Sequence, residues 1–125
     1  MSTLIIEKAK LKNLKDLIYL LFDDDLGKDR ENISETSFNN YKKSFMKILN
    51  DTNNEIFIMV LNDQIIGMMQ LTFIPGLSME GMTRCQIESV RIKKDYRNKG
   101  YGSELIKKGI ETVSYTHLRA HETGW

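Results

Sequence analysis

The fold of this chain is decided by the stretch RNKGYG at residues 97–102, which lies between a strand-like segment and a helix-like segment. Upstream, residues 86–92 (QIESVRI) alternate apolar and polar side chains, as a half-buried strand does. Downstream, Leu105, Ile106 and Ile110 are spaced to fall on one face of a helix. The pattern predicts a strand, a tight turn with two glycines, and a helix that begins at that turn.

A glycine-bearing turn at the start of a helix is suited to bind an anion. Its backbone N–H groups converge, glycine places no Cβ in the way, and the helix dipole adds partial positive charge. Arg97 and Lys99 add two formal charges at the same place. The spacing R-x-x-G-x-G differs from both the dinucleotide fingerprint and the P-loop. We therefore predict a phosphate-binding turn, with a basic helix cap that binds no ligand as the alternative.

The longer segment from Ile87 to Ile106 resembles motif A of the GNAT superfamily, the acetyl-coenzyme-A-dependent N-acetyltransferases. The resemblance implies that amides of the turn bind the pyrophosphate of coenzyme A. It also implies that the backbone of the preceding strand pairs with the pantetheine arm. The residues implied to bind acetyl-CoA are Val90, Arg91, Ile92, Arg97, Asn98, Lys99, Gly100, Tyr101, Gly102 and Ser103.

The same resemblance implies a reaction in which an amine attacks the acetyl thioester directly, with no acyl-enzyme and no metal. Backbone N–H groups near Val90 are then expected to bind the carbonyl oxygen. Glu88 is the candidate base, directly or through water, because some family members carry a glutamate at this strand position. Strand alternation predicts that Glu88 and Val90 share one face. The alternative is a structural glutamate paired with Arg84 or Arg91.

The order of predicted elements extends the resemblance over nearly all of residues 1–112. A strand at residues 4–6 precedes two helices that begin near Asn13 and Ser34, and a hairpin at Asn62-Asp63 joins the next two strands. We predict an α/β fold of GNAT type, a mixed and mostly antiparallel sheet flanked by helices, without the family's C-terminal strands and helix. The residues predicted to face the core from the two helices are Leu14, Leu17, Ile18, Leu21, Phe22, Phe38, Tyr41, Phe45, Ile48 and Leu49.

The end of the chain resembles a laboratory sequence. Residues 113–123 (VSYTHLRAHET) are similar to a translation of the transposase adapter DNA used in sequencing libraries. We therefore expect a partial GNAT domain at residues 1–112 and a non-native tail at residues 113–125. A native helical tail is the alternative. The only two histidines, His117 and His121, lie in this tail, and no metal site is predicted.

The predicted function is an acetyl-CoA-dependent N-acetyltransferase, recorded here as a C-terminally truncated and inactive fragment. Its expected partners are acetyl-CoA and an unidentified amine acceptor, and a homodimer is left open. The alternative is a non-catalytic, regulatory module that binds coenzyme A through the same turn.

Composition bounds the other classes of function. Eighteen basic and seventeen acidic residues leave a formal charge of +1, so the chain lacks the global field expected of a nucleic-acid or membrane-surface binder. Cys85 is the only cysteine and is expected to be buried. The sequence begins with no secretory signal pattern and contains no apolar run of membrane-spanning length. We expect a cytoplasmic protein.

Overall fold

The structure, a computed structural model, describes residues 3–22 and 34–123, without the side chains of residues 113–123. Short 3₁₀ turns at Leu11–Asn13 and Lys94–Tyr96 precede α1 and α4. The elements are β1 (Leu4–Lys8), α1 (Leu14–Leu21), α2 (Glu35–Leu49), β2 (Asn54–Leu61), β3 (Gln64–Pro75), α3 (Ser78–Gly81), β4 (Thr83–Ile92) and α4 (Tyr101–Thr123).

The four strands form one antiparallel sheet in the order β1-β2-β3-β4, so β1 and β4 are the edge strands of the described part. The tight turn between β2 and β3 is the predicted hairpin. Asn62 and Asp63 both have positive φ, at 50° and 67°, which asparagine and aspartate tolerate better than most residues. The predicted strand order along the chain is confirmed.

Two apolar layers cover the two faces of this sheet. Buried residues of α1 and α2 pack on one face, and Leu105 of α4 packs on the other. The first layer is built from Ala9, Leu14, Leu17, Ile18, Leu20, Phe45, Ile56, Ile58 and Met68. The second is built from Phe57, Met59, Ile66, Met69, Leu71, Phe73 and Leu105.

The helix starts are partly as predicted. Ser34 caps α2, since its hydroxyl accepts a hydrogen bond from the Ser37 N–H at 3.1 Å. Asn13 precedes α1, but its side chain accepts from the Lys10 N–H at 2.8 Å instead of capping α1. It thereby closes the preceding 3₁₀ turn.

Three residues predicted to face inward are exposed, namely Phe22, Leu49 and Ile110. Each lies at a helix end or one position off the buried stripe. On α4 the inward position is Gly109, where a Cβ would overlap Cε of Met69, so the helix approaches the sheet closely. Leu105, one turn earlier, is fully buried.

The backbone of α4 continues as helix across residues 112 and 113, and no strand follows it in the part of the chain that the structure describes. The predicted division at that point is not tested. Among the described helices, none is both long and apolar enough to cross a bilayer.

Candidate functional site

The turn between β4 and α4 reverses the chain through two residues with positive φ. Arg97 is extended (φ −73°, ψ 159°), Asn98 has φ 62°, and Gly100 has φ 85°. The first helical hydrogen bond of α4 then runs from the Glu104 N–H to the Gly100 carbonyl, at 3.1 Å. Both left-handed positions carry residue types that adopt them at low cost.

This geometry leaves six consecutive backbone N–H groups without an acceptor. Within residues 3–22 and 34–123, the N–H groups of residues 98–103 donate no hydrogen bond. Three of them belong to the first turn of α4, where helical N–H groups have no partner inside the helix. They stand at the positive end of the helix dipole, which favours an anion.

The turn is anchored to the sheet by hydrogen bonds that do not use these N–H groups. The Lys93 N–H donates to the Ile66 carbonyl at 2.7 Å, and Arg97 Nε donates to the Ile92 carbonyl at 2.9 Å. The Tyr96 hydroxyl donates to Gln64 Oε1 at 3.2 Å. These bonds fix the turn relative to β3 and β4, so that its N–H groups are held in place before a ligand arrives.

The turn is also rich in positive charge. Residues 91–104 contain five basic and two acidic side chains. Lys99 Nζ lies 6.0 Å from the centre of the Tyr96 ring, and Tyr96 contacts Tyr101 edge-on with ring centres 6.2 Å apart. A cation over an aromatic face is attracted to it, which holds the lysine at the mouth of the turn.

A β-bulge interrupts β4 at Ser89 and Val90. Gln70 of β3 pairs with Glu88 and Met68 pairs with Arg91, so two residues of β4 stand opposite one of β3. Ser89 has φ 52°, a left-handed value that is uncommon for serine. A bulge on an edge strand breaks the regular ladder and re-aims the backbone groups beside it.

The bulge makes the predicted alternation wrong. Val90 packs in the layer under α4, whereas Glu88 is paired with Gln70, a β3 residue that alternates with the α4-side Leu71. Because directly paired residues share a face, Glu88 lies on the α1/α2 face, opposite to Val90. The extra residue at Ser89 shifts the alternation by one position.

Glu88 is half-buried and engaged by a neighbour on its own strand. Its Oε1 accepts a hydrogen bond from Gln86 Nε2 at 2.6 Å. In the described structure it forms no ion pair with Arg84 or Arg91, so the structural pairing considered from the sequence is absent there. Arg91 instead donates from Nη1 to the Val90 carbonyl at 3.3 Å.

The remaining predicted residues separate into two groups. The side chains of Val90 and Ile92 pack into the core layer under α4, so only their backbone groups are available to a ligand at the strand edge. The turn residues, in contrast, are mostly exposed at the start of α4. The structure thus brings together Arg97, Asn98, Lys99, Gly100, Tyr101, Gly102 and Ser103 around one set of backbone donors.

The lone cysteine is exposed, contrary to the prediction of a buried residue. It lies near the start of β4, where the edge strand has no outer neighbour among the described strands. Desolvation by nearby atoms raises the pKa of the Cys85 thiol, which makes it a weaker nucleophile at neutral pH. Among the described residues, no three His, Cys, Asp or Glu side chains are grouped to hold a metal ion.

Together, these features define a site suited to an anion at the start of a helix, next to an edge strand with a bulge. Residues 12–118 match the acetyltransferase (GNAT) family. The chain belongs to that family, and the predicted fold class is confirmed.

Known structures show the same fold. A transcriptional regulator from Bacillus halodurans is 33% identical, with a TM-score of 0.78 over 91% of this chain and 76% of that chain. A GNAT family acetyltransferase from Staphylococcus aureus is 24% identical, with a TM-score of 0.71 over 93% and 81%. A predicted acetyltransferase from Clostridium acetobutylicum, solved with acetyl-CoA, is 16% identical, with a TM-score of 0.66 over 92% and 76%. No curated protein matches the chain in sequence.

Proposed function

We propose that this chain carries the coenzyme-binding part of an acetyl-CoA-dependent N-acetyltransferase, which transfers an acetyl group to an amine by direct attack. The observation that supports it most strongly is the set of six free N–H groups at residues 98–103, at the start of α4. A diphosphate is the ligand that such a set of convergent donors suits best. The GNAT family uses acetyl-CoA, which carries one.

The rest of the coenzyme follows β4 in this proposal. The outer edge of β4 is unpaired in the described sheet, so its backbone groups are open to the amides of a pantetheine arm. Pairing along this edge brings the thioester to the bulge at Ser89 and Val90. There the Val90 N–H is the proposed donor to the carbonyl oxygen, on which negative charge develops during attack.

Glu88 is the proposed base. It precedes the bulge by one residue and lies on the α1/α2 face, so an amine approaching from that face meets its carboxylate before it meets the thioester. The carboxylate takes the proton from the ammonium directly or through water. The free amine then forms the new C–N bond and the C–S bond breaks, and the second proton that the nitrogen loses goes to the coenzyme thiolate, which leaves as a thiol.

We propose that the 125-residue chain by itself binds coenzyme A but transfers no acetyl group. The described residues offer no neighbour to the outer edge of β4, and most of residues 83–87 are exposed. A thioester at that edge would be open to water, which weakens every electrostatic contact that the reaction requires. Its proposed partners are acetyl-CoA and an unidentified amine, in the cytoplasm, without nucleic acid, membrane or metal.

Calorimetry with coenzyme fragments tests the proposed site. We expect the chain to bind coenzyme A saturably and to bind pantetheine, which lacks the diphosphate, at least tenfold more weakly. Equal affinity for coenzyme A and pantetheine would show that the turn does not bind the diphosphate. The absence of any binding heat with coenzyme A would contradict the proposed function. A thiol-release assay with acetyl-CoA and amines is expected to stay at the rate without protein, and turnover by the chain would contradict its proposed inactivity.

The second candidate is a regulatory module that binds coenzyme A without catalysis. It is favoured by one observation, the description of the 33% identical Bacillus halodurans protein as a transcriptional regulator. The thiol-release assay on that relative separates the candidates. Amine-dependent release of coenzyme A supports the enzyme, and tight binding without release across an amine panel supports the regulatory module.

A further inference from the structure

Two rows of polar side chains cross the sheet on its α1/α2 face. In the first row Asn54, Thr72 and Gln86 are paired across β2, β3 and β4, and in the second Gln70 is paired with Glu88. Paired residues share a face, and Gln70 and Thr72 alternate with residues that are buried under α4. All five therefore project from one side of the sheet, where the apolar layer under α1 and α2 ends.

Hydrogen bonds fix the orientation of the amide on β3. The Asp51 carboxylate accepts from Asn54 Nδ2 at 2.9 Å, which turns Asn54 Oδ1 toward β3. That oxygen accepts from Gln70 Nε2 at 3.2 Å and from the Thr72 hydroxyl at 2.8 Å. Because a carboxylate only accepts hydrogen bonds, Asp51 fixes the orientation of the Asn54 amide, and Asn54 Oδ1 in turn fixes that of the Gln70 amide. Gln70 Oε1 is therefore left as an acceptor with no described partner.

The amide on β4 is fixed in the same way. Gln86 Nε2 donates to Glu88 Oε1 at 2.6 Å, so the Gln86 carbonyl oxygen points away from the carboxylate. In the described chain, Gln86 Oε1 and Glu88 Oε2 accept no hydrogen bond. The rows therefore present three acceptor oxygens that accept no hydrogen bond from the described chain and are open to water, on adjacent strands that lie about 5 Å apart in a sheet.

This surface carries one carboxylate and two guanidinium groups, since Arg84, paired with Ile74, and Arg91, paired with Met68, project from the same side of the sheet. Glu88 is the only acidic residue of the five, and the nearby Asp51 carboxylate already accepts from Asn54 Nδ2 and from the Asn53 N–H. The Glu88 carboxylate can bind one ammonium through Oε2, the two arginines disfavour a second positive charge nearby, and the two amide oxygens can accept from neutral donors. A polycation would find no further carboxylate among these side chains, and a simple alkylamine would leave the two amide oxygens bonded to water only.

We propose that these rows select the acceptor, and that it is a primary monoamine with hydroxyl groups on nearby carbon atoms, as in amino alcohols and amino sugars. Glu88 binds the ammonium, and Gln70 and Gln86 accept from the hydroxyl groups as specificity-determining residues. The inference rests on the proposed function, because it places the acceptor one residue from the bulge where the thioester is proposed to lie. It adds the class of amine and the residues that distinguish it.

Calorimetric titration of the full chain, saturated with coenzyme A, tests the proposal. The probes are glucosamine, cyclohexylamine (a ring of the same size without hydroxyl groups) and spermidine. We expect glucosamine to bind at least tenfold more tightly than cyclohexylamine and more tightly than spermidine. Equal or weaker binding of glucosamine, or no binding of it to the coenzyme-loaded chain, overturns the proposal. Failure of coenzyme A itself to bind is a different result and contradicts the proposed function.

Substitutions assign the effect to the rows. Gln70→Leu and Gln86→Leu should each lower the affinity for glucosamine about three- to tenfold, which corresponds to the loss of one hydrogen bond. Neither substitution should change the affinity for cyclohexylamine. Asn39→Leu, an exposed amide on α2, is the matched control and should change neither. Glu88→Gln should weaken both amines, with Glu111→Gln on α4 as its control. If Gln70→Leu lost binding of both glucosamine and cyclohexylamine while its melting temperature stayed unchanged, a role of Gln70 in specificity would be contradicted.

Discussion

The two glycines of the turn differ in backbone conformation, and alanine should therefore affect them in opposite directions. Gly100 has φ 85°, and an L residue there costs about 1–2 kcal/mol of folding free energy. A Cβ at this position meets no protein atom within 4 Å, so no clash adds to that cost. Gly102 has no positive φ, and its Cβ would lie 3.8 Å from Ile92 Cγ1, an ordinary contact. Alanine there should stabilise the helix by up to about 1 kcal/mol.

Urea unfolding and calorimetry measure the two consequences. The free energies of unfolding of Gly100→Ala and Gly102→Ala should differ by about 1–3 kcal/mol, with Gly102→Ala the more stable. The Cβ of Gly100→Ala enters the open space beside the free N–H groups, where the diphosphate is proposed to lie. Loss of one hydrogen bond to a charged acceptor should lower the affinity for coenzyme A roughly ten- to hundredfold. Gly102→Ala, whose Cβ points at Ile92, should keep its affinity within about twofold.

Gly100→Asn separates binding from folding. Asparagine tolerates positive φ, so this variant should regain most of the stability lost by Gly100→Ala. Its side chain still occupies the anion position, so its affinity for coenzyme A should stay low. Equal stability of the two alanine variants would refute the conformational argument, and unchanged affinity in both Gly100 variants would refute the site.

Four further predictions concern the scaffold and the charges. Ser34→Ala should lower the free energy of unfolding in urea by about 0.5–2 kcal/mol, because it removes the cap of α2. Ser44→Ala, at an exposed position of the same helix, should lower it by less than about 0.5 kcal/mol, and equal losses in the two variants would contradict the role of the cap. Leu105→Ala, which empties a fully buried position under α4, should cost about 2–5 kcal/mol, and a cost below about 1 kcal/mol would contradict that packing. Lys99→Ala should lower the affinity for coenzyme A about two- to fivefold at low salt and by less at high salt. A loss of affinity that does not depend on salt would contradict an electrostatic role of Lys99. Because desolvation raises the pKa of Cys85, less of its thiolate is present at neutral pH. Iodoacetamide should therefore react with Cys85 more slowly than with a free thiol until the pH exceeds the raised pKa. A faster reaction of Cys85 at neutral pH would contradict the direction of the pKa shift.

Local sequence signals predicted most of the fold correctly. The Asn62-Asp63 hairpin, the Ser34 cap and the turn at Gly100 each depend on the conformational preference of one or two residues, and all three occur in the structure. The inward face of α4 was less well predicted, because Gly109 has no hydrophobic side chain to mark it. Close approach of a helix depends on the sheet beneath it, which the helix sequence alone does not describe.

The bulge in β4 was not predicted, although residues 83–92 carry one sign of it. Glu88 and Ser89 are two adjacent polar residues between the apolar Ile87 and Val90, so the apolar-polar alternation skips one position there, but serine carries no preference for the φ of 52° that Ser89 adopts. The bulge becomes evident only from the pairing with β3, where Met68 and Gln70 select Arg91 and Glu88. For this reason the sequence placed Glu88 on the wrong face, and the polar rows beside it were missed. The division at residue 112 and the cytoplasmic location stay predictions.

Backbone amide chemical shifts, followed while coenzyme A is added to the ¹⁵N-labelled chain, show which residues bind the coenzyme. We expect saturable shifts concentrated at the amides of residues 98–103, with smaller changes along β4 and almost none in α2. Pantetheine should leave the turn amides unmoved. Saturable binding whose shifts lie away from residues 98–103, or no shifts with coenzyme A, would contradict this expectation.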